Sequence, residues 1–553
     1  MHPQQQPGIN KWLYAFIGLA VLLNFSGLFV TIIAPDGALY AGIAKSMVLR
    51  HDYTDLFAEG RNWLDKPHFP FWIIALSFKC FGFTTWAYKL PAILFLMMGA
   101  RYTYLLAKNL YNTEIALWAV LILLTAEHIV LSNNDVRAEP YLTGLIIASV
   151  YHFYKAQHSK IWGHLFAGSL FAACAIMTKG MFALIPICGA IAGELIIKKQ
   201  WAALFNLRWL LAAMMILLFI LPEIYCLYAQ FDSHPEVVVF GHNHVSGIKF
   251  FFWDSQFGRF FNNGPIKGHG DPFFFVHTTL WAFLPWSLLL FAGIFQFFKK
   301  NIKNVNNAEW YCICGSLLTF LVFSASKFQL PFYTNIIFPF YAIITAQYLY
   351  GVKSIKAVRI TQIVVVILLI AGIKILHYFY WPETFNWYIG GLLSILCVLM
   401  VFLPQRITKV PYQRIGMMTV LVACVVNLYL NLVFYPSLLK YQAGSEAAFY
   451  INSLNRKDMP VVQSMGDYTY PLEFYLNQPL YTADLNGNGN LPPKPFLLYT
   501  PTDNLANLKK TKGWTMSEVT TFNRFWITKV TPRFLNKATR DSTLGHVSLV
   551  VVR

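Results

Sequence analysis

The feature that most constrains the fold is a series of long apolar segments that recurs from residue 12 to residue 434. About 20 apolar residues are enough to cross a bilayer as a helix. Inside a bilayer every backbone amide must also be paired within the protein. We therefore predict an all-α, polytopic membrane protein with roughly thirteen transmembrane helices, the first over Trp12–Ile33.

The composition agrees with a membrane protein and excludes a nucleic-acid partner. The chain is 57% hydrophobic and only 12% charged, about half the charge of a typical soluble protein. The net charge of +18 is explained by lysine and arginine in cytoplasmic loops. The chain contains no basic stretch interleaved with aromatic residues, which is the pattern that would suggest nucleic-acid binding.

The positions of the basic clusters predict the topology. These clusters fall on one side of the membrane only if the short apolar run Phe69–Phe83 does not cross it, so we predict a juxtamembrane helix there. The amino terminus is then cytoplasmic, and loops 34–89 and 230–272 lie outside. The clusters are Lys155 with Lys160, Lys198-Lys199, Lys299-Lys300-Lys303, Lys353-Lys356-Arg359 and Arg406-Lys409-Arg414.

The character of the chain changes after residue 436. Residues 437–553 contain short β-type runs, such as Phe496–Tyr499 and Val547–Val552, and a glycine- and asparagine-rich run over Asn486–Asn490. Such a pattern predicts strands separated by turns. We expect a membrane domain over residues 1–436 and a small α/β domain outside the membrane over residues 437–553.

Ionisable residues gather in the predicted outer turns, on the face where cations are not expected to accumulate. A carboxylate there can accept a proton from an attacking hydroxyl, and fixed cations can stabilise charge on a phosphate leaving group. For any single residue the alternative is a solvated loop charge. The residues concerned are Asp36, Asp65, Lys66, Asp135, Arg137, Glu139, Lys179, Arg259 and Lys327.

The residues alone leave two other interpretations open and disfavour a third. A transporter or lipid flippase would place its carboxylates near the bilayer midplane. His242, Asn243 and His244 could bind a metal, although two histidines one residue apart point away from each other on a helix. A nucleotide-sugar donor is disfavoured, because the chain has no glycine-rich nucleotide loop.

An ordered set of short motifs resembles the membrane glycosyltransferases that use polyprenyl-phosphate sugars. This family includes the aminoarabinose transferase acting on lipid A and, more distantly, the protein O-mannosyltransferases. The motifs are Pro35-Asp36-x-x-x-Tyr40-Ala41, Asp65-Lys66-Pro67, Phe81-Gly82, Lys89-Leu90-Pro91, Asp135, Thr178-Lys179-Gly180, Arg259-Phe260, Leu284-Pro285-Trp286-Ser287 and Ser326-Lys327-x-x-x-Pro331-x-Tyr333.

The resemblance implies a GT-C fold with a periplasmic α/β tail, in a multi-pass protein of the bacterial inner membrane. It also implies transfer of a sugar from a polyprenyl-phosphate donor to a lipid or protein acceptor, among membrane lipids. Asp36 would be the catalytic carboxylate, assisted by Asp135. The substrate would be bound by Tyr40, Asp65, Lys66, Lys179, Arg259, Lys327 and Tyr333.

The same resemblance implies no required cofactor, but it offers Asp65 as a ligand for a divalent metal. Two positions depart from the family pattern. Gly37 stands where a second acid is usual, which leaves an inactive scaffold relative as an alternative. His68 replaces the second proline of a Lys-Pro-Pro motif, and we expect it to be a solvated histidine at the membrane interface, with a role as a local substitute as the alternative.

Overall fold

The computed structural model describes residues 11–158, 161–303, 305–352, 354–383, 385–454, 459–464, 469–483 and 491–553. Most of the chain before residue 443 is helical, and the chain after it contains a mixed β-sheet. The predicted positions Lys160, Lys353 and Asn486–Asn490 lie outside the described residues.

The segment after the first helix is largely helical, where a loop was predicted. Helix α1 spans Trp12–Phe25 and ends before the predicted Ile33, and helix α2 spans Asp36–Arg50. A carboxylate in the first turn favours a helix start at Asp36, because it faces the positive end of the helix dipole. Small residues along α2 then allow close packing, and Ala38, Ala41 and Ala44 are all buried.

A short hairpin and a second short helix complete this segment. Strands β1 (Phe57–Ala58) and β2 (Arg61–Asn62) pair antiparallel, and helix α3 spans Phe69–Phe81. The 13 residues of α3 rise about 20 Å, less than the hydrocarbon thickness of about 30 Å. This length agrees with the predicted juxtamembrane position.

The remaining helices of the membrane domain follow in sequence with short connections. Proline residues and short non-helical breaks divide several of them. The predicted span from Ile115 to Leu131, for example, is interrupted at Ala126. The main helices are Thr85–Leu110, Thr113–Thr125, Glu127–Ser132, Glu139–His158, Ile161–Lys179, Leu184–Ile197, Leu207–Phe219, Leu221–Leu227, Phe250–Gly258, Arg259–Phe261, Phe274–Ala282, Ser287–Asn301, Tyr311–Ala325, Pro331–Ile337, Phe338–Gly351, Ile355–Tyr380, Trp387–Ile407 and Pro411–Tyr429.

The number of spans is smaller when long, strongly apolar helices alone are counted. Among the described residues, 5 helices are long and apolar enough to cross a membrane, or 6 if the bent pair Phe274–Ala282 and Ser287–Asn301 forms one span. Five shorter apolar helices accompany them, including α1 and α3. A mostly helical domain with several apolar helices long enough to cross a membrane is therefore confirmed, and the count of thirteen spans stays a prediction.

The C-terminal region is a small α/β unit, as predicted. Its five strands are β3 (Val461–Ser464), β4 (Leu480–Ala483), β5 (Phe496–Pro501), β6 (Met516–Arg524) and β7 (Gly545–Val552), and their order across the sheet is β4-β3-β5-β7-β6. Strand β3 runs parallel to β4 and β5, whereas β7 is antiparallel to β5 and β6. Helices Ala443–Ser453 and Tyr470–Tyr475 cover one face, and helix Asn504–Lys512 packs on the other.

Direct hydrogen bonds attach this α/β unit to the segment around α2. The Lys45 ammonium of α2 donates to the carbonyl oxygens of Glu473, Phe474 and Leu476 at 2.8–3.0 Å. The backbone amide of Ile32 donates to the Tyr475 hydroxyl at 2.9 Å. Because Asp36 begins α2, the C-terminal unit lies against the element that carries the predicted catalytic carboxylate.

Candidate active site

A cavity of about 150 Å³ lies at the start of α2 and collects most of the predicted site residues. Separate parts of the chain supply its walls, so the residues meet only in the folded protein. Its charged lining consists of three carboxylates and four cations, which gives an excess of positive charge for an anionic ligand. These charged residues are Asp36, Asp65, Lys66, Arg137, Glu139, Lys179 and Arg259.

Asp36 is the most accessible carboxylate among the ion pairs of this cavity. Its side chain is 42% exposed and pairs with the Arg137 guanidinium. Burial raises the pKa of Asp36, whereas the Arg137 charge lowers it and the nearby Asp135 carboxylate raises it again. The carboxylate is therefore accessible to a ligand, and two residues of one turn, Asp135 and Arg137, shift its pKa in opposite directions.

Asp65 joins the two cations that were predicted to bind phosphate. The Lys66 ammonium lies 2.6 Å from Asp65 Oδ2, and the Arg259 guanidinium contacts Oδ1. Although burial raises the pKa of Asp65, the two cations lower it to about 2. Burial and the Arg259 charge lower the pKa of Lys66 to about 8. An anionic ligand would relieve the repulsion between Lys66 and Arg259.

Lys179 and two tyrosines form the rest of the predicted wall. Lys179 pairs with Glu139, and its ammonium lies 3.8 Å from the centre of the Tyr333 ring. Tyr40 is buried and packs edge-on against Phe71, with ring centres 5.1 Å apart. These contacts place Tyr40, Lys179 and Tyr333 at the same cavity as Asp36, Asp65, Lys66 and Arg259.

The structure does not bring two predicted residues to the cavity wall. Asp135 lies behind Arg137, 2.7 Å from its guanidinium, and does not line the cavity. Its Oδ1 atom is buried and has no hydrogen-bond partner among the described residues. Lys327 is exposed, also outside the cavity lining, and its backbone amide donates to the Phe260 carbonyl at 3.1 Å.

The sequence motifs predicted no specific role in the site for Arg137 and Glu139. Arg137 bridges Asp36 and Asp135, while Glu139 holds Lys179. The alternation of acid, base and acid at Asp135, Arg137 and Glu139 was the available signal. Which partners these side chains would meet depended on the packing of distant helices, which the local sequence does not encode.

Buried amide side chains hold the turn that presents Arg137. The Asn133 side chain donates to Asn24 Oδ1 at 2.7 Å, and Asn134 donates to Asn431 Oδ1 at 2.8 Å. Asn431 in turn donates to the Ser26 hydroxyl at 2.7 Å. Buried polar groups that are paired in this way fix a unique arrangement of their segments, so the turn is anchored to α1 and to the helix near residue 431.

The expectation of a solvated His68 is wrong, because the side chain is fully buried in an ion pair with Glu223. His68 Nδ1 lies 3.0 Å from Glu223 Oε1, and Nε2 lies 2.8 Å from the Thr54 carbonyl oxygen. Although burial lowers the pKa of His68, the Glu223 carboxylate raises it above its ordinary value. With an acceptor at each ring nitrogen, His68 ties the segment that carries Lys66 to the helix that carries Glu223.

We expect His68→Leu to destabilise the protein by about 3–5 kcal/mol, because it leaves Glu223 as an unpaired buried charge. The double variant His68→Leu/Glu223→Leu should recover part of this loss. The raised pKa means that the pair stabilises the fold fully below the unfolded pKa of about 6.5, and that this stabilisation is lost as the pH rises through the folded pKa. Thermal unfolding in detergent between pH 5 and pH 9 measures both effects; a double variant less stable than His68→Leu would contradict the pairing.

The residues present do not fit a divalent metal at Asp65. Both of its carboxylate oxygens contact cations, Lys66 and Arg259, and these would repel a second cation. Across the described ranges, no group of three or more histidine, cysteine or acidic side chains could hold a metal ion, and the pair His242 and His244 gains no third ligand. Metal dependence stays an untested expectation.

Several known proteins are similar to this chain in sequence. A family model described as dolichyl-phosphate-mannose-protein mannosyltransferase matches residues 65–225. An uncharacterised protein from Aquifex aeolicus is 23% identical over 481 residues, covering 85% of this chain and 87% of that protein. An undecaprenyl phosphate-α-4-amino-4-deoxy-L-arabinose arabinosyl transferase from Edwardsiella ictaluri is 26% identical, covering 60% of this chain and 58% of that protein.

The fold agrees with these sequence matches. The crystal structure of ArnT from Cupriavidus metallidurans bound to undecaprenyl phosphate superimposes with a TM-score of 0.75 at 17% identity, covering 97% of this chain and 98% of that chain. The sequence alignments with the arabinosyl transferases span only about half the length of those relatives, 58% and 52% in two cases.

The fold and the site together define a GT-C-type membrane protein with a charged cavity at the ends of its helices. In sequence and fold the chain is similar to membrane glycosyltransferases that use polyprenyl-phosphate sugars. The resemblance stated from the ordered motifs is thereby confirmed, and the similar proteins are named as transferases, which agrees with the prediction of an enzyme.

Proposed function

We propose that the protein transfers a sugar from a polyprenyl-phosphate carrier to an acceptor hydroxyl at the periplasmic face of the bacterial inner membrane. The observation that carries this proposal is the cavity in which an accessible carboxylate, Asp36, adjoins the cations Lys66, Arg259 and Lys179. A base and a phosphate site are the two groups that this reaction requires.

The transfer forms one bond and breaks another at the anomeric carbon of the donor sugar. The acceptor oxygen bonds to that carbon while Asp36 accepts the hydroxyl proton. The bond between the anomeric carbon and the phosphate oxygen breaks, and its electron pair leaves with the polyprenyl phosphate. Lys66 and Arg259 stabilise the negative charge that develops on this phosphate.

A smaller, mostly apolar cavity of about 60 Å³ suits the lipid part of the donor. It shares Lys179, Arg259, Phe328 and Tyr333 with the charged cavity and is otherwise lined mainly by apolar side chains, including Leu142 and Ile336. A polyprenyl phosphate has an anionic head and an apolar tail. The adjoining cavities could therefore hold the phosphate and the first isoprene units.

The glycine that replaces the second acid of the family pattern is compatible with a single catalytic carboxylate. Gly37 is buried, and a Cβ atom there would lie 3.1 Å from a methyl group of Ile32 and 3.6 Å from the Val136 carbonyl oxygen. A side chain at this position would therefore crowd the Ile32 methyl group and lie in ordinary contact with the Val136 carbonyl oxygen. Gly37 supports a mechanism in which Asp36 alone accepts the proton.

A label-chase experiment in inverted and right-side-out membrane vesicles tests the proposal. Radiolabelled sugar is first loaded onto the polyprenyl-phosphate pool, and its movement into the glycolipid or protein fraction is followed. We expect loss from the carrier and gain in one fraction, only in vesicles that contain the protein. Equal loss from the carrier with and without the protein would contradict the proposal, and the receiving fraction identifies the acceptor class.

The neighbours of Asp36 predict opposite shifts in the pH dependence of transfer. A base must be ionised, so the rate rises as the pH rises through the pKa of Asp36. Arg137→Met removes the larger of the two charges that lower this pKa, and Asp135→Asn removes the larger of the two that raise it. We expect the acid limb of the rate profile to move to higher pH in Arg137→Met and to lower pH in Asp135→Asn. Shifts of the same sign would contradict Asp36 as the base.

A further inference from the structure

A second, larger cavity of about 470 Å³ lies between the C-terminal sheet and the segment before Asp36. It shares no lining residue with the charged cavity around Asp36. Its volume falls within the range of about 300–1,000 Å³ that is common for small-molecule sites. Ala34 and Pro35 line it from the membrane side, and residues of the α/β unit line the remainder.

The sheet topology independently marks this position as a binding site. Strand β3 is followed in sequence by β4 on one side, while β5 lies on its other side. In open α/β sheets, ligands bind outside the carboxyl ends of parallel strands at the point where the order reverses in this way. The cavity lies there: it is lined by Thr469, which follows β3, by Tyr499 and Pro501 of β5, and by Asp503 beyond β5.

The chemistry of the lining fits a saccharide. Trp526 is 42% exposed and offers an aromatic ring for the apolar face of a sugar, while the buried Tyr441 and Tyr499 form part of the cavity wall. Asp503 and Arg524 are an acceptor and a donor for sugar hydroxyls, and together they leave no excess of charge. The charged cavity around Asp36 differs, since its cations outnumber its acids.

The position of the cavity is less suited to a peptide. An extended peptide is typically bound by adding a strand to a free sheet edge. The cavity instead lies at the ends of strands, next to Arg524 of β6 and to Gly545 and His546 of β7.

The cavity is connected to Asp36 through a backbone segment that Gln442 holds by two hydrogen bonds. The Ala34 amide donates to Gln442 Oε1 at 2.9 Å, and Gln442 Nε2 donates to the Ile32 carbonyl oxygen at 3.0 Å. Gln442 also lines the cavity, and only Pro35 separates Ala34 from Asp36 in the chain. The cavity thus adjoins the backbone that leads directly into Asp36.

We propose that this cavity binds the saccharide part of the acceptor, so that the acceptor is a glycan-bearing molecule such as a glycolipid. The assignment to the acceptor rests on the proposed transferase function; the assignment as a saccharide site does not. Asp36 would then lie between the acceptor glycan on one side and the donor phosphate on the other.

Saturation-transfer NMR on the full-length protein in nanodiscs tests the saccharide site directly. The probes are the water-soluble oligosaccharides released by deacylation of the producing cells' own glycolipids, and a capped threonine peptide. Trp526→Ala is compared with Tyr481→Ala, because Tyr481 is 43% exposed on β4 at the opposite edge of the same sheet. We expect oligosaccharide signals in the wild type and in Tyr481→Ala, and no peptide signal. In Trp526→Ala, which removes the exposed aromatic ring, the oligosaccharide signal should fall by at least about fivefold.

Three outcomes overturn the proposal: no oligosaccharide signal, equal signals in Trp526→Ala and Tyr481→Ala, or a peptide signal that depends on Trp526. The acceptor role is tested separately by transfer kinetics, where Trp526→Ala should raise the KM for the acceptor at an unchanged KM for the donor. Equal acceptor KM values in the two variants overturn that role. Oligosaccharide binding without any transfer by the wild type would instead contradict the proposed function and leave the saccharide site intact.

Discussion

Asp36→Asn is expected to lower the rate of sugar transfer by about 10²–10⁴-fold, the usual contribution of a general base. Asparagine keeps the size of the side chain and can still contact its neighbours, but it cannot accept a proton. The Arg137 guanidinium would lose a charged partner and keep Asp135, so we expect the fold and the donor affinity to be preserved. The measurement is the initial rate of transfer by purified protein at saturating donor.

Asp271→Asn is a matched control for this variant. Asp271 is exposed, and its carboxylate accepts a hydrogen bond from the Phe273 amide at 2.9 Å, which an asparagine oxygen can also accept. Its rate should stay within about twofold of the wild type, since surface changes away from such sites have small effects. A wild-type rate in Asp36→Asn, at unchanged protein level, would contradict the assignment of the base.

Lys66→Met is expected to lower kcat/KM for the donor by about 10²–10³-fold, the loss seen when one stabilising donor is removed from a developing anion. Methionine keeps the unbranched apolar stem and removes only the charged head. Its effect should come from the lost phosphate contact, because Asp65 would still be paired with Arg259. Donor titration with wild-type and variant protein measures the change.

Lys327→Met makes the same chemical change at a lysine that lies outside the cavity lining. The sequence motif predicted a donor contact for Lys327, whereas the exposed position predicts a change of less than about threefold. If Lys327→Met lost as much donor use as Lys66→Met, the cavity would not define the phosphate site. If only Lys66→Met lost donor use, the result would support the phosphate site defined by the cavity over the Lys327 contact predicted from the motif.

The membrane class and the α/β tail could be predicted because they depend on patterns along the chain. Long apolar runs and one-sided basic clusters indicate a membrane domain, and short β-type runs after residue 436 indicated the sheet that β5 and β7 now form. The helix α2 was missed because its residues are neither apolar enough for a span nor strongly amphipathic. Its stability comes from burial between other elements.

The individual residues of the site could be predicted from the sequence, but not which side chains pair with each other. The motifs supplied Asp36, Lys66 and Arg259, and the cavity joins them. Local sequence could not reveal that Glu223, 155 residues from His68 in the chain, would bury that histidine. An isolated polar residue next to an apolar run can be solvated or paired across the fold, and only the packing of the helices distinguishes these outcomes.

The most direct test of the account compares cells that lack the protein with cells that carry the wild type or Asp36→Asn. Mass spectrometry of envelope glycolipids and periplasmic proteins measures the products. We predict species heavier by one sugar residue in wild-type cells, and their absence in cells without the protein and in Asp36→Asn cells with equal protein levels. The same set of species in wild-type and Asp36→Asn cells would contradict the account.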